Sequence, residues 1–389
     1  MRKKLLVISP ALGRSGMERN LAYFFEHYNP GQFAIGFVYF DRLYPKTQTS
    51  PLEDSLKRIS HTWHIKLSEK KGVMDAGIQL TKLMETWQPD VVLGKEWFAA
   101  CAAVFARNRL EVGAAHPKIV ALIENDPYRA FIHQVDQERL SRTKKLVYKH
   151  LLKQVDALVG VSRGVSVESA RIFGVSHKKI HTIYNGVDVD MVQQLAQENP
   201  SHRWLKPSRF HVSGIPVLVS SARLSPEKDL NTLIRTVAML NKTQRVRAII
   251  LGTGSELKPL RELSKRLGVF ANIDFHGYTK NPFSFVAHAD AFVMTSISEG
   301  FPSVLLEAMA CEVPVVFTDC RFGPNEMIQQ RKNGILVPLR NPEAVAEAIQ
   351  EILGNPDFSQ KLVREGQRTI KHFNIKKAVQ ELSRLLEQV

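Results

Sequence analysis

The sequence predicts an α/β protein made of two doubly wound halves in tandem. Three observations predict it. The 389-residue chain has material for two cores. Short runs of Val, Ile and Leu alternate with amphipathic helical patterns, as in parallel sheets covered on both faces. The rhythm breaks once, at Asn185-Gly186-Val187-Asp188 and the His-, Pro- and Ser-rich stretch 199–213, and then resumes.

Taken in order, the first half predicts strands at 4–9, 34–40, 90–94, 118–123, 157–161 and 179–184, with helices at 17–27, 96–108 and 163–173 among them. The second half predicts strands at 216–222, 247–252, 273–276, 291–295, 313–318 and 335–338. Domains are placed at 1–190 and 191–373. A helix at 374–389 crosses back to the first domain. Ligands of doubly wound sheets sit at the carboxyl ends of the strands. Two such sheets facing across a cleft would offer it two binding rims.

Composition narrows the function. Hydrophobic content of 44% and charged content of 23% are those of a globular protein. The most membrane-like run, 98–106, is far short of the roughly 20 residues a spanning helix needs. The run 5–8 reads as a first strand rather than a signal peptide, so a cytoplasmic location is expected. Cys101, Cys311 and Cys320 are scattered without zinc-like spacing, and no metal or cofactor is expected.

The net charge of +15 is shared by both halves and asks for an acidic partner. It is locally dense in 139–155. Arg139, Arg142, Lys145, Lys149 and Lys153 recur every three or four residues, and Leu140, Val147, Leu151 and Val155 fall on another face. This basic amphipathic helix suits an anionic membrane surface. A plain solvated face fits the same pattern. No recognition module supports nucleic acid as a partner.

Four strand-to-helix loops carry chemistry. In Ser9–Arg19, Gly16 removes a side chain where backbone would approach a ligand; a tight turn is the alternative. The dinucleotide spacing G-x-G-x-x-G is absent, which disfavours a dehydrogenase. In 220–229, Arg223 and Lys228 place a planar fork and a mobile point charge at a helix start, a pairing that suits a diphosphate. In 251–256, Gly252 and Gly254 permit a tight turn, and Ser255 is placed to cap the next helix. In 299–307, Glu299 and Glu307 stand eight positions apart around Gly300, Phe301, Pro302 and Ser303. A helix opening there presents free N–H groups to an anion, with Glu307 one turn further in. An ordinary turn with two solvated glutamates is the other reading. Asp188-Val-Asp190 matches an acidic D-x-D, but its place in the linker argues against a metal.

Together these segments resemble the retaining GT-B glycosyltransferases of family 4, over nearly the whole chain and most specifically from Val217 to Pro338. The resemblance rests on Arg223-Leu224 with Lys228, on Gly252-Thr-Gly254-Ser-Glu256 and on the E-x7-E pair Glu299 and Glu307. In the first half it rests on Asp156–Ser162 and Ile183–Asp188. It implies a GT-B fold of two Rossmann-like domains, the first binding the acceptor and the second a nucleotide sugar. Glu307 would hold the ribose hydroxyls, and Arg223 and Lys228 would neutralise the diphosphate. Glu299 and the backbone of Gly300, Phe301 and Pro302 would meet the donor sugar. Gly16 would let the first loop close on the phosphates, and the loop from Tyr278 to Asn281 would face the base. Attack would come from the front face, with the leaving diphosphate taking the acceptor proton.

The chain departs from the family pattern at four places. Ser15 precedes Gly16 where two glycines are common, and Ala222 and Glu312 stand where Gly is usual. Glu124-Asn125-Asp126-Pro127 replaces a frequent His, so Glu124 or Asp126 is expected to serve the sugar instead, and Asn125 and Asp126 are candidate substrate contacts. Members resembling Asp319–Glu326 commonly build capsule, O-antigen or lipopolysaccharide.

The expected activity is metal-independent, retaining transfer of a hexose or N-acetylhexosamine from a nucleotide-diphosphate sugar, with UDP as the expected carrier. The acceptor would be a growing surface glycan, lipid-linked, at the inner face of the membrane. A nucleotide-sugar epimerase or soluble synthase of the same fold remains as a rival, as does a non-catalytic nucleotide-sugar-binding protein.

Overall fold

A computed structural model describes residues 2–13, 16–42, 51–59, 61–67, 72–111, 116–133, 142–205 and 214–389. Ser15, Arg139 and Leu140 lie outside these residues, as does the linker stretch 206–213.

Among the described residues the chain forms two compact units, each a parallel sheet with helices. One comprises 1–185 and 375–389, the other 186–374. Gly186 to Asp190 thus cluster with the second unit rather than the first. The reason is local: Val187 N donates to Phe373 O at 2.9 Å, and Val187 bridges Asn374.

The first unit has seven strands: β1 Lys3–Leu12, β2 Phe33–Arg42, β3 His61–His64, β4 Val91–Lys95, β5 Lys118–Ile123, β6 Ala157–Gly160 and β7 Ile180–Thr182. Their order is β3-β2-β1-β4-β5-β6-β7. The central strands are fully buried Val, Ile and Leu runs, as at Leu5 to Ile8 and Val91 to Leu93. Beyond Ile8, β1 pairs only with β2, so Pro10, which lacks an N–H, sits at a one-sided position. β3 was not predicted. It is an exposed edge strand, His61-Thr62-Trp63-His64, without an apolar run. Helix Ile375–Gln388 joins this unit, and Lys3 Nζ donates to Glu387 O at 2.5 Å.

The second unit has six strands: β8 Val217–Ser221, β9 Arg247–Leu251, β10 Ile273–Gly277, β11 Ala291–Met294, β12 Val315–Thr318 and β13 Ile335–Val337, ordered β10-β9-β8-β11-β12-β13. In both units β-order reverses beside the first strand, so that β1 and β4, and β8 and β11, are neighbours. In this topology ligands bind at the carboxyl ends of those neighbours.

Asp188 is the N-cap of helix Val189–Ala196, its Oδ1 accepting from Met191 N at 3.0 Å. The first carboxylate of the D-x-D thus has a structural role as a helix cap. Ser255 does not cap the helix after β9. The helix is Leu257–Arg266, its N-cap is Glu256, and no side chain caps it. The turn runs one residue longer than the sequence suggested, because Glu256 N is drawn to Leu224 O at 3.0 Å.

Candidate active site

The loops leaving β8 to β11 are laced together by backbone hydrogen bonds. Ala222 N donates to Leu251 O (3.0 Å), Leu224 N to Thr253 O (2.9 Å), Gly252 N to Gly277 O (2.7 Å) and Ile297 N to Glu227 O (2.8 Å). Gly252, at φ 123, lies so close to the first loop that a Cβ there would fall 1.9 Å from Ala222 O. Tight packing therefore explains this glycine, as the turn reading expected.

Lys228 and Glu299 meet. Lys228 Nζ is 2.6 Å from Glu299 Oε1, with the side chains 20% and 10% exposed. The pairing follows from strand order, since β8 and β11 are adjacent and both residues follow their carboxyl ends. Thr295 Oγ1 strengthens the join by donating to Asp229 O at 2.9 Å. Arg223 is exposed on the same loop as Lys228.

Gly300, Phe301 and Pro302 are buried, and the Phe301 ring packs on Phe373 at 5.6 Å between centroids. Pro302 is the N-cap of helix Ser303–Ala310 and no side chain caps it. Its first N–H groups are therefore not satisfied by a capping side chain, and they stand at the positive end of the helix dipole. Glu307 is buried one turn further in. Gly323, at φ 89, seals the far side: a Cβ there would lie 2.7 Å from Pro302 Cδ and 3.0 Å from Gly300 O.

Cys320 also lies beside the pair. Burial, and then the charge of Glu299, pushes its thiol well above the usual cysteine range. Tyr278 is 50% exposed. Asn281 is committed to the fold: its Oδ1 accepts from Phe283 N and Ser284 N, and its Nδ2 donates to Leu195 O.

In the first unit Gly16 opens helix Gly16–His27, and a Cβ on it would meet nothing within 4 Å. Protein packing therefore does not require this glycine. Asn125 is exposed, while its side-chain Nδ2 donates to Glu96 Oε1 at 3.0 Å and Met17 Sδ at 3.3 Å. Asp126 Oδ1 accepts from Tyr128 N at 2.9 Å and Arg129 N at 3.3 Å, which caps the turn that follows. Glu124 is buried against Lys95 at 2.8 Å. Lys95, Glu96 and Asn20, which surround it, escaped sequence reasoning. The available signal was a Lys-Glu dipeptide set directly between an apolar strand and an apolar helix.

With this geometry in hand, comparison with known proteins is decisive for the family. Residues 205–369 match the family described as Glycosyl transferases group 1, and residues 41–191 match Glycosyltransferase Family 4. The chain belongs to the group 1 glycosyltransferases. As a group 1 glycosyltransferase it is 26% identical to an uncharacterized glycosyltransferase of Methanocaldococcus jannaschii, over 74% of this chain and 72% of that one. It is 29% identical, over 55% of each chain, to N-acetylgalactosamine-N,N'-diacetylbacillosaminyl-diphospho-undecaprenol 4-alpha-N-acetylgalactosaminyltransferase of Campylobacter jejuni. The crystal structure of Anabaena HepE in complex with UDP-glucose superposes with a TM-score of 0.78 at 18% identity, covering 99% of this chain and 100% of HepE. That likeness establishes the GT-B fold for this group 1 glycosyltransferase.

Proposed function

We propose that the protein is a metal-independent, retaining glycosyltransferase that moves a hexose or N-acetylhexosamine from a UDP-sugar to a growing, lipid-linked glycan. The observation that carries this reading is the 2.6 Å contact of Lys228 with Glu299 in the loops that precede the uncapped helix at Ser303. Lys228, Arg223 and the helix N-terminus supply positive charge for a leaving diphosphate. Charge placed in advance where it develops in the transition state is the largest source of catalysis in such sites. Glu299, held by Lys228, meets the donor sugar together with the backbone at Gly300 to Pro302. Glu307 holds the ribose, and Tyr278 borders the base. Gly16 serves the donor phosphates, and Asn125 and Asp126 serve the acceptor side. The diphosphate takes the acceptor proton as the new bond forms on the face the leaving group vacates.

UDP is favoured because HepE binds UDP-glucose in a fold of this kind. A lipid-linked acceptor is favoured by the Campylobacter relative, whose name specifies a diphospho-undecaprenol substrate. The described part of the basic segment, helix Arg142–Leu152, adds a further argument: Leu146 is 67% exposed among Lys144, Lys145 and Lys149. An apolar tip ringed by cations suits anionic headgroups. No described helix is long and apolar enough to cross a membrane.

The test offers a panel of UDP-sugars with and without a polyprenyl-diphosphate-linked acetamido sugar, and follows UDP release and the anomeric configuration of the product. Acceptor-dependent transfer with retention is the expected result. Donor epimerisation without acceptor would favour the epimerase reading, and binding without turnover a non-catalytic protein. For the membrane arm, neutralising Lys144, Lys145 and Lys149 should abolish sedimentation with phosphatidylglycerol vesicles; unchanged sedimentation would dismiss that role.

A further inference from the structure

The first unit buries a second charged cluster at the carboxyl ends of the adjacent strands β4 and β5. Lys95 and Glu124 pair at 2.8 Å with side chains only 4% and 2% exposed. Lys95 Nζ also donates to Met17 O at 2.7 Å, and Asn20 Nδ2 donates to Glu124 Oε1 at 3.3 Å. Glu124 is thereby anchored from two elements.

Glu96 is held differently. Its Oε1 accepts three N–H bonds: from Glu124 N at 2.9 Å, Asn125 N at 3.0 Å and Asn125 Nδ2 at 3.0 Å. Among the described residues its Oε2 is buried with no hydrogen-bond partner. The Glu96 backbone reaches this place at φ 62, a left-handed conformation that costs a non-glycine residue energy. Strain, a buried carboxyl and three bonds are all directed at one short loop.

We propose that Glu96 is a positioning residue for sugar transfer: its single oxygen holds the Glu124–Asp126 loop and aims the side-chain amide of Asn125. The role rests on the proposed glycosyl transfer and on Asn125 as its acceptor-side contact. Asp126 is not available to aim Asn125, since its Oδ1 serves the N–H groups of Tyr128 and Arg129.

Among the described residues two charged groups face Glu96, Lys95 beside it and Glu124 just after β5. The helix Gly16–His27 contributes the uncharged Met17 and Asn20 to the cluster. Burial, reinforced by the Glu124 charge and opposed by the N–H bonds and Lys95, raises the Glu96 carboxyl to about 7. An ionised carboxylate holds N–H donors more strongly than a neutral acid does. Asn125 is therefore held more firmly as pH rises through neutrality.

The experiment compares wild type, Glu96→Gln and Asn125→Ala between pH 6 and 8.5. Readouts are kcat and KM for UDP-sugar turnover, UDP affinity, and the Asn125 side-chain amide signal after selective 15N-asparagine labelling. Wild-type kcat should rise about tenfold through neutrality. Glu96→Gln, which still accepts N–H bonds without ionising, should flatten that rise and stop the Asn125 amide from titrating. UDP affinity should stay within about twofold, because the residues proposed to hold UDP, Gly16 apart, lie in the second unit, and an unchanged far-UV circular dichroism spectrum and urea midpoint show that the first unit is folded. Asn125→Ala should remove the same limb by itself, which keeps the test valid if Glu96→Gln folds poorly. An unchanged pH profile in either variant, or an Asn125 amide that titrates without Glu96, overturns the proposal. An amide that follows Glu96 in a protein that turns over no UDP-sugar leaves the positioning intact and dismisses the transferase reading instead.

Discussion

Lys228 Nζ lies 2.6 Å from Glu299 Oε1, joining the loop after β8 to the loop after β11 across 71 residues of sequence. The contact links two proposed roles that the sequence treats separately, diphosphate neutralisation and sugar contact. Each residue orients the other, so the two should behave as a unit. Lys228→Ala and Glu299→Gln should each lower kcat by about 10²–10³-fold. The double variant should fall little further than the worse single one. Steady-state kinetics on the three proteins checks this; additive losses would separate the two roles.

Glu307 is buried one turn into helix Ser303–Ala310, and its proposed role is to hold the ribose. Glu307→Gln should therefore weaken UDP binding while leaving the chemical step nearly intact. Loss of charge-assisted bonds to two hydroxyls should cost about 1.5–3 kcal/mol, or roughly 10–100-fold in affinity. Titration calorimetry with UDP measures it, and an effect confined to kcat would contradict the assignment.

Glu96 should leave a mark on stability as well as on rate. Its carboxyl is raised from 4.5 in the unfolded chain to about 7 in the fold. The folded state thus binds the proton more tightly. The contribution is fully present below about pH 4.5 and is lost as pH rises through about 7, by up to about 3 kcal/mol. Urea titrations of wild type at pH 5 and pH 8 should show that loss, and Glu96→Gln should show a much smaller one.

Glu312 has its backbone at φ 60 on an exposed turn. Left-handed backbone costs a non-glycine residue about 1–2 kcal/mol, and glycine gives back about 0.5–1 kcal/mol in unfolded-state entropy. Glu312→Gly should thus stabilise the second unit by about 0.5–1 kcal/mol. Thermal unfolding checks it, and a lowered midpoint would show that the Glu312 side chain stabilises the turn by more than the strain costs.

Much of the fold was legible because buried parallel strands have a strong signature. Continuous apolar runs such as Leu5 to Ile8 and Val91 to Leu93 have no solvent-facing residue to interrupt them. The edge strand His61–His64 lacked that signature and was missed, since an edge exposed to water need not be apolar. The anion-type loops were legible through residue type and spacing, as at Arg223 and Lys228 or Glu299 and Glu307. Their partners were not. Nothing in the local pattern of Gly94-Lys95-Glu96 says that Lys95 will meet Glu124, or that Glu96 will take three bonds from residues 124 and 125.

By itself the sequence determined the α/β class, the tandem halves and the residue types of the candidate site. These depend on short-range properties: strand periodicity, turn chemistry and the charge carried by a loop. The tertiary structure alone decided which charges meet. Lys228 reaches Glu299 because β11 lies beside β8, and Glu96 reaches Asn125 because β5 lies beside β4. Strand adjacency is set by the packing of whole sheets. No window of sequence contains it, and it turns separately placed charges into a site.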